Sequence, residues 1–424
     1  MKSKWSKRTI GELCMIGSGK VQTGPFGSQL HQSDYSDEGT PVVMPADIVG
    51  GKLDERRIAR VATSHVERLT RHKLQSGDIV YGRRGDIGRQ ALIRGAQSGW
   101  LCGTGCLRVR LGNSEVSADY LHRYLQMPEI IGWIQGQAIG ATMPNLNTDI
   151  LNRVPVYYPC RRSQDKIAAI LTAYDDLIET YKRRIAVLEK IAEEIYREWF
   201  VRMRFPGYRN TRFVKSVPEG WPLQPLSALV KMNPREAVSN SDPLPFVGME
   251  NLSTHSMYFD YCQRRVGASG SKFRNRDTLL PRITPCLENG KRGFVSCLGE
   301  KEVGVGSTEF IVLREMVLPA EYIYLLSCDP SFRQHAELSM TGASGRQRVQ
   351  HDCFDYFLIP TPPEPILAQF VEVARPLFQL VSQLATMNSR LSSTRDLLLP
   401  RLISGKLSVE DLDIQFPPSM EDAA

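Results

Sequence analysis

SQDKIAAILTAYDDLIETYKRRIAVLEKIAEEIYREWFVR, residues 163–202, contains neither Pro nor Gly. Its apolar residues fall at Ile167, Leu171, Tyr174, Ile178, Tyr181, Ile185, Leu188, Ala192, Ile195 and Trp199, in steps that alternate four and three. That is a heptad seam, and it predicts an α-helix about 60 Å long. Glu179, Lys182, Arg183, Arg184, Glu189, Lys190, Glu193 and Glu194 lie between the seam positions and suit a solvated face. A helix of this length needs a partner, because most helical stability comes from packing its apolar stripe. A second seam follows the Pro-rich residues 361–365: Phe370, Ala374, Leu377, Val381, Leu384, Asn388, Leu391 and Leu398. Pro376 is expected to bend this helix near its start. Asn388 is expected to fix its register, and Pro400 and Gly405 mark its end. Two such helices in one chain most simply pack antiparallel.

Outward from the helices, the rest of the sequence occurs twice. Trp5, Ile10 and Leu13 correspond to Trp221, Leu226 and Leu229. Pro41, Val43, Asp47 and Ile48 correspond to Pro245, Val247, Asn251 and Leu252. Lys73, Leu74, Asp78 and Arg83 correspond to Lys272, Phe273, Asp277 and Arg282. Tyr120, Pro128, Gly140, Pro155 and Gln164 correspond to Tyr322, Pro330, Gly342, Pro360 and Gln369. Such a period is far too long for a solenoid and marks two copies of a whole domain, each followed by its own helix. Short apolar runs at 78–81, 90–93 and 106–110 read as strands, and 119–126 and 129–135 as short helices. The domains are therefore α+β and strand-rich.

The 424 residues carry a formal charge of +7, are 42% hydrophobic and 23% charged, which gives real cores and a mildly basic surface that permits an acidic polymer such as DNA. Nine cysteines, an odd number with no Cys-x-x-Cys, read as reduced thiols of a cytoplasmic protein. The first residues are charged with no apolar run behind them, so no signal peptide is expected, and no apolar stretch is long enough to span a membrane.

Catalytic signatures are missing. Residues 17–20, Gly-Ser-Gly-Lys, fail the spacing of a phosphate loop. Asn233-Pro-Arg235 lacks the second Pro and the aromatic residue of an amino-methyltransferase motif. The one recurring carboxylate, Asp78 and Asp277, precedes an apolar run and reads as a turn residue in both copies. No metal or cofactor is expected. What recurs in the loops is basic and polar. The first copy has Arg83, Arg84 and Arg89 in one loop and Asn145 and Asn147 in a second. The second copy has Arg282, Lys291 and Arg292, then Arg346, Gln347 and Arg348. Guanidinium and ammonium groups pair phosphates or fork onto guanine, and carboxamides fork onto adenine, so these eleven residues are the candidate DNA contacts.

The paired plan resembles the specificity subunit of type I restriction-modification systems. The resemblance rests on the Trp-x4-Ile/Leu-x2-Leu opening of each half at Trp5 and Trp221. It rests also on the Gly-Ala loop followed by Val/Ile-Pro and Gln (140–164 and 342–369), and on the stretch 388–407, NSRLSSTRDLLLPRLISGKL. It covers almost the whole chain. The sequence departs from the family at 161–163, where a Glu more often neighbours the Gln, and at Pro376. The resemblance implies two target recognition domains (1–158 and 205–360), a central helical spacer (159–204) and a C-terminal helical spacer (361–416); the tail after Phe416-Pro-Pro (417–424) is expected to be disordered. The spacers would pack as an antiparallel coiled coil. It implies a subunit without chemistry of its own that reads a bipartite, asymmetric double-stranded DNA site. Its helices would dock two methyltransferase subunits, and motor-nuclease subunits would complete the complex; S-adenosylmethionine, ATP and magnesium would belong to those partners. Two other readings are a two-headed protein-binding scaffold and an enzyme with its own methyltransferase or nuclease site.

Overall fold

The computed structural model describes residues 5–85, 87–137, 145–239, 241–260, 263–267, 269–343, 345 and 347–421. The chain forms two compact units: Met1–Ile178 with Arg390–Ala424, and Glu179–Ser389. The contact boundaries thus fall inside the two long helices, Arg161–Tyr196 and Glu364–Ile403, so that each helix contributes to both units.

In the first unit, an antiparallel sheet has the strand order Ser18–Thr23, Cys106–Gly112, Ile79–Gly82, Gln90–Leu92. The Ile79–Gly82 strand is buried throughout. Side chains alternate across a strand, so Ile79 and Tyr81 enter one core with Ile10, Leu13 and Leu107, while Val80 enters another with Val43, Ala91 and Ile93. A second sheet orders Leu101–Cys102, Thr40–Val43, Ala59–Val61 and Tyr35–Ser36, and its first pair is parallel. Ser6–Thr9 pairs with Pro155–Tyr158 and closes the domain next to the first long helix. Thr9 then caps the Ile10–Ile16 helix through a reciprocal box with Glu12, accepting from its N–H while the Glu12 carboxylate accepts from the Thr9 N–H.

The second unit has the same plan. One sheet orders Val230–Met232, Phe310–Glu315, Thr278–Pro281 and Gly293–Phe294. The other contains the parallel pair Pro243–Val247 and Gly304–Gly306, flanked by Gln263–Val266 and Ser271–Phe273. Leu223–Pro225 pairs with Leu358–Pro360 as Ser6–Thr9 does with Pro155–Tyr158. The sequence anchors coincide with these elements. Lys73 bridges Leu101 in the first unit, and Lys272 pairs with Val305 in the second.

The long helices pack together within each unit. In the first, Ile167 and Leu171 share a core with Leu402 and Ile403, while Asp175 meets Arg395 at 2.6 Å. Lys166 reaches the chain beyond the second helix, at Val409, so the order runs antiparallel. In the second unit, Tyr196 and Phe200 share a core with Phe370, Ala374, Phe378 and Val381.

The buried face departs from the strict seam. Tyr196, Phe200, Phe378 and Ala385 are buried, one residue past the expected Ile195, Trp199, Leu377 and Leu384, although Leu384 is buried as well. Successive steps of four, 192–196–200 and 370–374–378, follow the 3.6-residue turn instead of a 3.5-residue repeat. The first helix also ends in a π-helical turn, Arg197–Val201. The second runs unbroken through Pro376 and Pro400. Among the described residues the Asn388 Oδ1 is buried without a hydrogen bond. Within the tail expected to be disordered, Pro418–Glu421 form a helical turn, and the Ser419 hydroxyl donates to Asp176 at 2.5 Å.

Among the described residues, no helix is long and apolar enough to cross a membrane, and no cluster of side chains has metal-ligand geometry. The eight described cysteines are free thiols.

Candidate nucleic-acid interface

In each unit the central buried strand delivers an arginine to the surface, and a second loop from far along the chain closes over it. In the first unit the Arg83 N–H donates to the Gly105 carbonyl at 2.9 Å, and the Arg83 carbonyl accepts from the Leu146 N–H at 2.9 Å. Arg84 and Asn145 form a β-bridge, and the Arg83 Nε donates to the Asn145 Oδ1 at 3.2 Å. In the second unit the Arg282 N–H donates to the Glu309 carbonyl at 2.9 Å, and the Arg282 carbonyl accepts from the Val349 N–H at 2.8 Å. Ile283 and Arg348 form the matching bridge. The two recurring loops of each half, predicted separately from sequence, are therefore brought side by side by the same backbone bonds in both units.

The side chains on this shared frame differ. In the first unit Arg83 rests on a neutral carboxamide, and Arg84 and Arg89 are exposed. In the second, Glu309 holds two guanidiniums. Arg348 donates from Nε and Nη2 to Oε1 at 2.9 and 2.8 Å, and the Arg282 Nε lies 3.3 Å from Oε2. Hydrogen bonding from Arg348 holds the Glu309 carboxyl below its ordinary pKa range. The Gln347 backbone is fixed by Thr284, whose N–H donates to the Gln347 carbonyl at 3.1 Å and whose hydroxyl accepts the Gln347 N–H at 3.2 Å.

Three of the candidate contacts are occupied within the fold. The Asn147 side chain accepts from the Ile150 N–H at 2.8 Å and caps the Thr148–Arg153 helix. The Lys291 ammonium donates to the Met249 carbonyl at 2.9 Å. Arg292 is 13% exposed; its Nη1 donates to the Gly290 carbonyl at 2.9 Å, its Nη2 lies 3.7 Å from Glu193 of the first long helix, and its Cζ lies over the Tyr324 ring, 5.8 Å from the centroid. Arg346 lies outside the described residues, as do 140–144 and Asp86.

Each unit also has a hollow. In the second, a groove of about 540 Å³ is lined by Arg235, Lys272 and Arg282 together with Asn233, Ser271 and Thr308. Glu236 also lines it but is taken up by Arg274 and Arg314, both at hydrogen-bonding distance. Arg235 and Lys272 thus add positive charge beside Arg282, and sequence reading did not single them out as contacts. Arg235 lies in the loop after the Val230–Met232 strand and Lys272 in the middle of the Ser271–Phe273 strand, far apart in sequence and without a clustered signal. In the first unit, a hollow of about 400 Å³ is bordered by Arg89, Gln90, Arg123, Gln126, Asp175 and Arg395. Burial works to raise the Asp175 pKa, but Arg123 and Arg395 outweigh it and hold the carboxyl below its ordinary range. Arg123 and Arg395 thus share the Asp175 carboxylate, and Arg395 also lies 2.8 Å from Asp396.

Comparison with known proteins places these features in context. Residues 2–190 match the family model of the type I restriction modification DNA specificity domain. The chain is 26% identical over 429 residues to the type I restriction enzyme MjaIX specificity subunit of Methanocaldococcus jannaschii, covering 96% of this chain and 94% of that one. It is 32% identical over 181 residues to the EcoAI specificity subunit of Escherichia coli, covering 40% of this chain and 31% of that one. The fold is similar to the crystal structure of a type I restriction-modification S subunit from M. genitalium, with a TM-score of 0.59 at 14% identity over 95% of this chain and 96% of that one.

Proposed function

The chain belongs to the family of type I restriction-modification DNA specificity subunits, and we propose that it reads a two-part double-stranded DNA site with the paired loops of its two halves. It is the recognition subunit of a restriction-modification complex and not an enzyme in its own right. The observation that carries the loop assignment is the shared backbone frame around Arg83 and Arg282, which presents different side chains in the two halves. One frame with two different readers suits a target whose halves differ. Arg83, Arg84, Arg89 and Asn145 serve the first half-site. Arg282, Arg346, Gln347 and Arg348 serve the second, with Arg235 and Lys272 on the adjoining backbone. Phosphate contacts set position and base-edge contacts set sequence.

Partner docking falls to the long helices. In the second unit Val373, Leu380 and Met387 are 44%, 42% and 48% exposed at heptad spacing on one helix, and Val187 and Ile191 are 58% and 43% exposed one turn apart on the other. Such stripes fit helical partners, and we assign them to the methyltransferase subunits that carry the chemistry. Motor-nuclease subunits, with ATP and magnesium, then complete the restriction complex.

The test is methylome sequencing of cells that express the chain with its methyltransferase partner. Replacing residues 1–158 by those of a relative should change one half-site and leave the other intact. A changed second half-site would overturn the assignment of the two heads.

A further inference from the structure

We infer that Glu309 is a positioning residue that aims Arg348, supported by Arg282, at a guanine in the half-site read by the second unit. The inference rests on the reading that these loops face DNA.

Glu309 belongs to the frame. Its carbonyl accepts from the Arg282 N–H at 2.9 Å, its own N–H donates to the Ser307 hydroxyl at 3.2 Å, and it stands next to the start of the Phe310–Glu315 strand. Arg348 belongs to the loop. Its backbone is bonded on both sides, to Thr341 at 2.9 and 3.1 Å and by the bridge to Ile283. The carboxylate takes the Nε and Nη2 side of the guanidinium. The Nη1–Nη2 end is the second fork of the same plane, and a guanidinium fork matches guanine O6 and N7. Holding the plane in advance removes rotamer entropy that a free arginine side chain would lose on binding. The carboxylate also repels phosphate, so it favours a base edge over the backbone as the acceptor. In the first unit the place of Glu309 in this frame is taken by Gly105, whose carbonyl accepts from the Arg83 N–H but which has no side chain, and Arg83 donates to the uncharged Asn145 Oδ1. The device is thus specific to one half.

The complex of the full chain with its methyltransferase partner is tested on duplexes carrying the methylome-defined target. Each guanine of the second half-site is replaced in turn by 7-deazaguanine, which lacks the N7 acceptor. Wild type should lose about tenfold in affinity at one position. Arg348→Ala should be indifferent to that replacement. Glu309→Gln should reduce the discrimination about fivefold and bind scrambled duplex more tightly, since it removes a negative charge. Glu309→Asp should keep scrambled-duplex binding at the wild-type level. Should Glu309→Gln fail to fold, Arg348→Lys keeps the charge without the fork and must lose the guanine discrimination. If Arg348→Ala abolishes that discrimination while Glu309→Gln retains it in full, the positioning role is wrong and the loop assignment stands. If Arg348→Ala and Arg282→Ala bind every duplex like wild type, the loops do not face DNA and both ideas fall.

Discussion

Asp78 and Arg110 are joined by two parallel hydrogen bonds, Nε to Oδ1 at 2.7 Å and Nη2 to Oδ2 at 2.6 Å, and Asp277 and Arg314 repeat the pair at 2.7 and 2.6 Å. Each aspartate also accepts a backbone N–H three residues before it, from Gln75 at 2.8 Å and Arg274 at 2.7 Å. Both are 1% exposed. The carboxylate that recurs in sequence therefore closes the turn into the central strand and pins it to its neighbour. Removing one partner of a buried pair leaves the other charge uncompensated. Asp78→Ala and Asp277→Ala should each cost about 3–5 kcal/mol, read as a fall in thermal midpoint. Material that still folds should direct its methyltransferase partner to the same sites as wild type.

Arg84 and Arg292 separate surface charge from structural charge. Arg84→Ala should leave the melting temperature within about a degree, weaken DNA binding and flatten its salt dependence by about one unit of log–log slope. Arg292→Ala removes a guanidinium that lies against Glu193, Tyr324 and the Gly290 carbonyl, so its first effect should be a loss of about 2–3 kcal/mol in stability. Urea denaturation of the two variants beside a salt series in a DNA-binding assay tells them apart. Equal stability losses would mean that Arg84 is also part of the packing.

The contrast between these arginines shows how far the sequence could be read. The repeat and the long helices were legible because framework anchors and a seam are one-dimensional patterns, and the fold keeps Asp78 with Asp277 and Lys73 with Lys272 at matching places. The side-chain partners of the basic loops were not legible. Arg84 and Arg292 look alike in a Gly-rich basic run, and only tertiary packing places one at the surface and the other against a helix. Glu309 shows the same limit, since it neighbours neither Arg282 nor Arg348 in sequence. The slip of the buried face from Ile195 to Tyr196 follows from the helix turn itself, which a strict heptad reading leaves out.

Asn388 offers a stabilising change. A buried carbonyl oxygen without a hydrogen bond carries a desolvation cost, and an apolar residue of similar size removes it. Asn388→Leu should raise stability by about 1 kcal/mol in urea melts. A loss of stability instead would show that the amide makes a polar contact on which the helix depends.

Lys166 ties the end of the chain to the first unit. Its ammonium is 7% exposed and donates to the carbonyls of Val409, Glu410 and Leu412 at 3.2, 2.8 and 2.5 Å. Val409 is itself 3% exposed and packs in the same core as Ile167. Lys166→Met, which keeps the stem and removes three charge-assisted bonds, should cost about 2–4 kcal/mol. Truncation after Ser408 should give a similar loss. Hydrogen exchange should then rise in residues 161–171, because the strap that limits local opening has been removed. Unchanged exchange there would show that the tail only rests on the surface.

His72 and His122 set the response of the first unit to mild acid. Both are buried, at 3% and 5% exposure. For His72, burial first and then Arg71 and Arg108 lower the pKa from 6.5 to about 4. For His122, burial followed by Arg123 and Arg94 places it well below its ordinary value. In both cases the unfolded chain takes up a proton at a pH where the folded imidazole does not. Stability is therefore complete above pH 6.5 and falls as the pH drops from there toward 4, the window defined by His72. Urea midpoints should decline across that window. His72→Asn should flatten part of the decline while lowering the midpoint at neutral pH, where the lost packing still counts. The remainder should disappear only when His122 is replaced as well. If the double variant keeps the full wild-type slope between pH 6.5 and 4, the acid sensitivity comes from carboxylates and the two histidines do not set it.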